Sequence, residues 1–147
     1  MARYVLDTNV YVGADRDVAW AEELARFSSA HLPSIHFHAV VAQELLAGAI
    51  DQKRERLIED SLVMPFERRG RIITPSFAAW KGAGHILSRL VQRKLMSPGG
   101  FKRSFLADCV LAASCRENGI TLITLNKGDF DLISRVHPFK YTEPWPT

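Results

Sequence analysis

The sequence predicts an α/β fold built on a mainly parallel sheet. Short apolar runs alternate with longer segments of helical periodicity along the whole chain, the pattern of strand–helix–strand units. Lone carboxylates fall just past the ends of two apolar runs, and open parallel sheets build their sites beyond the carboxyl ends of their strands. At 147 residues the chain is expected to be one domain spanning 1–147, large enough for a real core.

Residues 3–6 read as a short buried strand. Residues 16–29 read as an amphipathic helix with Val18, Ala21, Leu24, Ala25 and Ser28 on one side. Pro33 precedes a strand at 35–37. Residues 39–50 are apolar nearly all round, so this helix should be buried. The highly charged stretch 52–66 carries Leu57, Ile58 and Leu62 as its apolar stripe, Gly70 breaks the pattern, and 71–73 read as a third strand. Thr74-Pro75 reads as an N-cap followed by proline at the first helical position. The helix it opens runs to about residue 95. Phe77, Trp80, Gly84, Leu87, Val91 and Leu95 keep helical spacing, which places Phe77 and Trp80 in the core, and Lys81, His85, Ser88, Arg89, Gln92 and Arg93 lie opposite. Ser97-Pro98-Gly99-Gly100 is a loop. A second buried helix covers about 104–117, closed by Asn118-Gly119 as a C-cap. A strand at 120–125, a short helix at 129–135 and a last strand at 139–141 precede a Pro-rich tail.

Four carboxylates interrupt this apolar framework. Asp7 ends Tyr4-Val5-Leu6, Glu44 lies within Ala39–Ala47, Asp108 lies within Phe105–Ala113, and Asp129 follows 120–125. Ionised carboxylates are costly to remove from water unless paired. No Lys or Arg lies within four residues of Glu44 on either side, or of Asp7 on its C-terminal side. A shared hard cation, Mg²⁺ or Mn²⁺, satisfies such oxygen donors. It also lowers the pKa of bound water and clamps phosphoryl oxygens, so the pattern points to phosphoester hydrolysis. Each acid but one has a local alternative. Asp7 can be a turn residue, Asp129 an N-cap, and Asp108 the cap of a helix that starts later. Glu44 has none, because a Glu inside an apolar helix has no local structural job.

The net charge is +3 and the pI about 9.1, mildly basic rather than the mark of a DNA-coating protein. Basic residues cluster at 53–56, 68–71, 89–94 and 102–103. They are either solvated helix faces or a phosphate-tracking surface. In the second case Arg89, Arg93, Lys102 and Arg103 are the foremost phosphate-contacting residues, being clustered beside the loop at 97–103. No run reaches the length of a transmembrane helix, and residues 1–7 lack the apolar region of a signal peptide. Cys109 and Cys115 are six residues apart on one helix and poorly placed to bridge. A cytoplasmic location follows. His36 and His38 alternate on a strand end, but no further ligand completes a metal site, so packing is favoured. His85 is expected in solvent. Trp145 in the tail marks a contact or folds back on the domain. Gly99-Gly100 lacks the Lys and Ser/Thr of a P-loop.

Four segments carry a family likeness: Leu6-Asp7-Thr8-Asn9-Val10, Glu44-Leu45-Leu46-Ala47-Gly48, Asp108-Cys109-Val110-Leu111-Ala112-Ala113 and Thr124-Leu125-Asn126-Lys127-Gly128-Asp129-Phe130. Together, and in this order, they resemble the PIN-domain ribonucleases, above all VapC-type toxins of bacterial toxin–antitoxin modules. The resemblance implies a three-layer α/β/α fold and a Mg²⁺- or Mn²⁺-dependent endoribonuclease. Asp7, Glu44, Asp108 and Asp129 would bind metal, and Thr8, Asn9, Thr124 and Asn126 would support the site. Some relatives place the fourth acid at the position of Asn126 and others at that of Asp129. The resemblance also implies a cognate antitoxin and a homodimer. The stretch from Glu44 to Asp108 is long for the family, with an added charged helix at 52–66. Two other classes compete. A haloacid-dehalogenase-like phosphatase needs a second acid two residues after the first, where this chain has Asn9. A non-catalytic RNA-binding or regulatory module should have lost some of the acids.

Overall fold

The structure, a computed structural model, describes residues 2–146. Five short strands form one all-parallel sheet in the order β3-β2-β1-β4-β5. They are β1 (Tyr4–Leu6), β2 (Ile35–His38), β3 (Ile72–Ile73), β4 (Thr121–Ile123) and β5 (Tyr141–Thr142). The register pairs Tyr4 with Ile35 and Thr121, and Ile123 with both Leu6 and Thr142. Successive side chains of a strand point to opposite faces, and the core divides accordingly. Val5, Phe37 and Leu122 belong to one buried cluster, and Leu6, Ile35 and Ile123 to another. Helices α3 (Ala39–Ala47), α6 (Phe77–Gln92), α7 (Arg103–Asn118) and α8 (Lys127–Ser134) contribute to the first cluster. Helices α1 (Thr8–Arg16) and α2 (Val18–His31) contribute to the second. The expected three-layer α/β/α architecture is the observed one.

Helix α1 departs from expectation, since between the first two strands the sequence suggested only one helix, starting at 16. Val10, Val12 and Gly13 are weak helix formers, which hides α1 from a propensity reading. Tertiary contacts hold it. Val10 is fully buried, and its carbonyl accepts a bond from Trp20 Nε1 at 2.8 Å. A Cβ on Gly13 would stand 2.9 Å from that same nitrogen, so only glycine allows this approach of α1 to α2. Asp17 caps α2 by accepting from the Ala19 and Trp20 amides.

The long helix α6 also differs. Its cap is Ser76, whose hydroxyl accepts from Ala79 N, not Thr74. Phe77 and Trp80 are not core residues; they are 78% and 55% exposed. The buried stripe is Ala79, Ala83, Ile86 and Leu90. A Cβ on Gly82 would lie 3.3 Å from that of Ala113, so α6 and α7 pack closely through small residues and the aromatics turn outward. The charged insert folds as α4 (Gln52–Ile58), a π-helical turn at Glu59–Val63 and α5 (Met64–Arg68). Asp51 caps it, and Arg54 pairs with Asp15 of α1. Gly119 closes α7 at φ 63°, the left-handed C-cap that glycine favours.

His38 is fully buried. Its Nδ1 accepts from Val40 N at 3.0 Å, capping α3, and Nε2 lies 2.8 Å from Ser114 Oγ. Burial pushes its pKa down to about 4, and with both ring nitrogens engaged the neutral ring serves as a structural cap. Trp145 folds back on the domain. It stacks on Phe27, lies beside Trp20 and donates to Glu23. Cys109 and Cys115 are buried and unbridged. Among the described residues no helix is long and apolar enough to cross a membrane.

Candidate active site

Because every strand runs the same way, β1 and β4 end on the same edge of the sheet, and the site grows from those two ends. Asp7 follows β1 and Thr124 follows β4. Asp7 is 3% exposed and serves as the N-cap of α1, accepting from Thr8 N at 2.8 Å. Its other oxygen accepts from Thr124 Oγ1 at 2.8 Å and Asn9 Nδ2 at 3.2 Å. Asn9 Oδ1 accepts from Leu125 N, and Thr124 Oγ1 accepts from Asn126 N at 2.9 Å. The turn after β4 is thus tied to the start of α1.

The other acids join this frame from helices. Glu44, the sixth residue of α3, accepts from Thr8 Oγ1 at 2.8 Å. Asp108, the sixth residue of α7, and Asp129, the third of α8, both accept from Asn126 Nδ2, at 3.3 and 3.0 Å. All four carboxylates and all four supporting polar residues therefore belong to one hydrogen-bonded network. The acids are not local devices, with one exception: Asp7 is a cap as well as a site carboxylate. Asp108 is inside its helix, and Asn126, not Asp129, holds the N-cap position of α8.

The electrostatics are those of crowded acids without a counter-charge. Among the described residues, no Lys or Arg hydrogen-bonds or ion-pairs with any of the four. Burial raises the Asp7 pKa, opposed by its bonds from Thr124, Thr8 and Asn9. Burial raises Glu44 as well, with the Asp7 charge adding to it and the Thr8 bond opposing. Asp108 is pushed up to about 8 by burial first, then by the charges of Asp7, Asp129 and Glu44. Among the described residues these side chains do not close into a ready-made metal cage; hydroxyls and amides stand between them. The donor set, all oxygen and unneutralised, fits a hard cation.

The basic residues divide. Lys102 and Arg103 are exposed at the start of α7, with Arg103 five residues, about 7.5 Å of helix, before Asp108. Arg93 instead donates to the Arg135 carbonyl at 3.1 Å, beyond the last turn of α8, whereas Asp129 lies in the first. Arg89 exerts its charge on His137 in the same region. His85 is exposed, as expected.

Two cavities adjoin the acids. A groove of about 420 Å³ runs past Glu44 between α1, α3 and α4, lined by Val12, Arg16, Leu45, Ile50 and Arg54 among others. A smaller cavity of about 230 Å³ lies on the other side, beyond Thr124. Arg16 and Glu143 were not singled out in the sequence. Only folding brings them to this edge, and no local motif marks them.

The parallel five-stranded sheet, flanked by helices, is an α/β/α domain with a cluster of acids at its carboxyl edge. The chain belongs to the PIN domain family, whose profile matches residues 4–136; PIN domains are in general nucleases that use divalent metals. The fold is similar to that of VapBC from Salmonella typhimurium in its DNA-bound crystal structure. The TM-score is 0.71 at 19% identity, over 97% of this chain and 98% of that one. It is similar to FitAcB from Neisseria gonorrhoeae, with TM-score 0.70 and 21% identity over 98% and 99% of the two chains. VapBC2 from Rickettsia felis, bound to a DNA fragment from its promoter, gives 0.65 and 21% over 97% and 98%. No curated protein matches the chain in sequence.

Proposed function

We propose that this chain is a Mg²⁺- or Mn²⁺-dependent endoribonuclease, a single catalytic domain that acts as the toxin of a bacterial toxin–antitoxin pair. The observation that carries the reading is the convergence of Asp7, Glu44, Asp108 and Asp129 with, among the described residues, no cationic side chain bonded to them. Asp7 and Asp108, the most buried pair, are assigned to direct metal contact. Glu44 and Asp129 complete the ligand sphere, directly or through water. When bound, the cation supplies a water of lowered pKa and charge against the phosphoryl oxygens. Thr124 and Asn9 hold Asp7 in one orientation, Thr8 holds Glu44, and Asn126 sets the separation of Asp108 from Asp129. Asn126 is then a positioning group and Asp129 the fourth acid. Hydrolysis leaves 5′-phosphate and 3′-hydroxyl ends.

The test is cleavage of bulk RNA with and without chelator, by the parent and by Asp7→Asn and Asp108→Asn. Cleavage is expected to need the metal and to fall by about 100-fold or more in each variant, the scale of removing a group that stabilises transition-state charge. Undiminished cleavage in excess chelator overturns the reading. Turnover of a small phosphoester without RNA cleavage would instead favour a phosphatase, although Asn9 stands where that class needs an acid.

The toxin role rests on the four motifs and on the similarity of fold to the VapBC and FitAcB structures. The groove beside Glu44 supports it, offering apolar Val12, Leu45 and Ile50 with Arg16 and Arg54 at its sides. A cognate antitoxin segment seated there would lie next to the acids and block them. An adjacent reading frame whose product co-purifies and inhibits cleavage is the expected finding. Homodimerisation belongs to the same reading. The exposed Phe77 and Trp80 supply an apolar face for it, and light scattering on the parent and on Trp80→Glu checks it. Two buried, unbridged cysteines accord with a reducing cytoplasm.

A further inference from the structure

The cavity beyond Thr124 has no part in the chemistry above. Thr124, Lys127, Tyr141, Thr142 and Glu143 line it. Thr124 is also a wall of the acid site, since its hydroxyl donates to Asp7. The cavity therefore opens on the carboxyl edge of β4 and β5, directly beside the carboxylates. β5 is two strands from β1, a lateral step of about 10 Å at the usual strand spacing. A nucleotide with its phosphate at the acids spans that distance to the far edge of its base. At about 230 Å³ the space is below the usual range of ligand pockets, and it suits one base rather than a longer ligand.

The lining has the parts that recognise a single-stranded base, an aromatic ring and polar groups for the base edge. Tyr141 is fixed in place, with its ring stacked on Phe139 at 4.9 Å and its hydroxyl donated to Asp131. Lys127 is exposed on the first turn of α8 and can neutralise a flanking phosphate. Glu143 is exposed, and among the described residues its carboxylate has no hydrogen-bond or ion-pair partner. A carboxylate only accepts. Guanine alone among the four bases presents two adjacent N–H donors, N1–H and the N2 amino group, along its pairing edge. Adenine and cytosine offer one amino group, and uracil one N–H between two carbonyls.

We propose that this cavity is a base-recognition pocket that selects guanine next to the scissile phosphate, with the Glu143 carboxylate as the discriminating acceptor and Lys127 as a phosphate contact. The proposal rests on the ribonuclease reading for its biological use, but not for its test. The full-length parent and Glu143→Gln are titrated in millimolar Mg²⁺ with the 5′-monophosphates of guanosine, inosine, adenosine, cytidine and uridine. The amide signals of residues 124–143 report binding by NMR. Ratios between bases cancel the common phosphate contribution. A bidentate pair discriminates by roughly tenfold or more, so guanosine monophosphate is expected to bind about ten times tighter than the uridine compound. Inosine, lacking the N2 amino group, should fall between, and Glu143→Gln should level the series. Glu143 is exposed and, among the described residues, its carboxylate is unbonded, so the variant is expected to fold, and its NMR spectrum shows whether it does. Equal binding of all five by the parent, an unchanged series in Glu143→Gln, or shifts confined to other parts of the chain overturns the proposal. A guanosine preference without RNA cleavage would sink the nuclease reading and leave the pocket standing. Cleavage without any base preference would do the reverse.

Discussion

Replacing Asp108 by Asn should stabilise the metal-free protein, and most at high pH. Asp108 is 8% exposed, and its bonded partner is one amide hydrogen of Asn126 at 3.3 Å. Asn keeps the volume and removes the charge. The Asp108 carboxyl is raised from 3.8 to about 8 in the fold. The folded state therefore binds more protons than the unfolded one between those values, and stability falls as pH rises through that window. At about 1.4 kcal/mol per pH unit the full cost above pH 8 is about 6 kcal/mol, a ceiling that relaxation and water will lower. Even a third of it, about 2 kcal/mol, moves the melting temperature by roughly 4–8 °C in a domain of this size. Thermal melts of parent and variant in chelator, at pH 5 and pH 8.5, read this directly. The variant should melt several degrees higher at pH 8.5, and the gap should shrink to roughly a third of that at pH 5, because there only the unfolded parent has ionised this carboxyl and most of the window up to about 8 still lies ahead. Millimolar Mg²⁺ should raise the parent more than the variant, because a ligand that binds only the folded state stabilises it by mass action. A variant that melts well below the parent in chelator at both pH values would make Asp108 a structural hydrogen-bond partner, and the reasoning from unpaired charge would fail there.

Two further outcomes follow from the placement of particular side chains. Lys102→Gln with Arg103→Gln should flatten the salt dependence of RNA binding by about 1.4 in log–log slope, at roughly 0.7 for each phosphate left unneutralised on a single strand. Arg89→Gln with Arg93→Gln should change it by less than half as much, because Arg93 is engaged at Arg135; equal effects would return all four to one surface. Gly13→Ala should destabilise by about 1–3 kcal/mol in a denaturant titration. The new Cβ meets Trp20 Nε1 at 2.9 Å, and overpacking of this kind outweighs the gain of about 1 kcal/mol in helix propensity; a variant more stable than the parent would show that the indole yields freely.

Much of the candidate site was legible because charge in an apolar run is a conspicuous signal. Glu44 within Ala39–Ala47 and Asp108 within Phe105–Ala113 stand among apolar neighbours that offer them nothing, so their residue type already demanded a distant partner. The roles of neighbours were less legible. Nothing local distinguishes Thr124, which bonds Asp7, Asn9 and Asn126 N, from any threonine after a strand. The basic residues were grouped by nearness in sequence, which cannot show that Arg93 reaches the end of α8.

What the chain determined by itself was the order of elements and the identity of its acids. Strand–helix alternation with buried apolar strands fixes a parallel sheet, because parallel strands need covered faces and crossover helices. Tertiary structure decided which face of each helix turned inward. In α6 the large residues Phe77 and Trp80 suggested one face, yet Ala79 and Ala83 are buried and Gly82 faces Ala113, because close helix packing selects small side chains where the two helices touch. Helix α1 likewise exists through Asp7, Val10 and Trp20 rather than through its own propensity. Periodicity records which residues can share a face, but the partner that covers the face is chosen only when the elements meet.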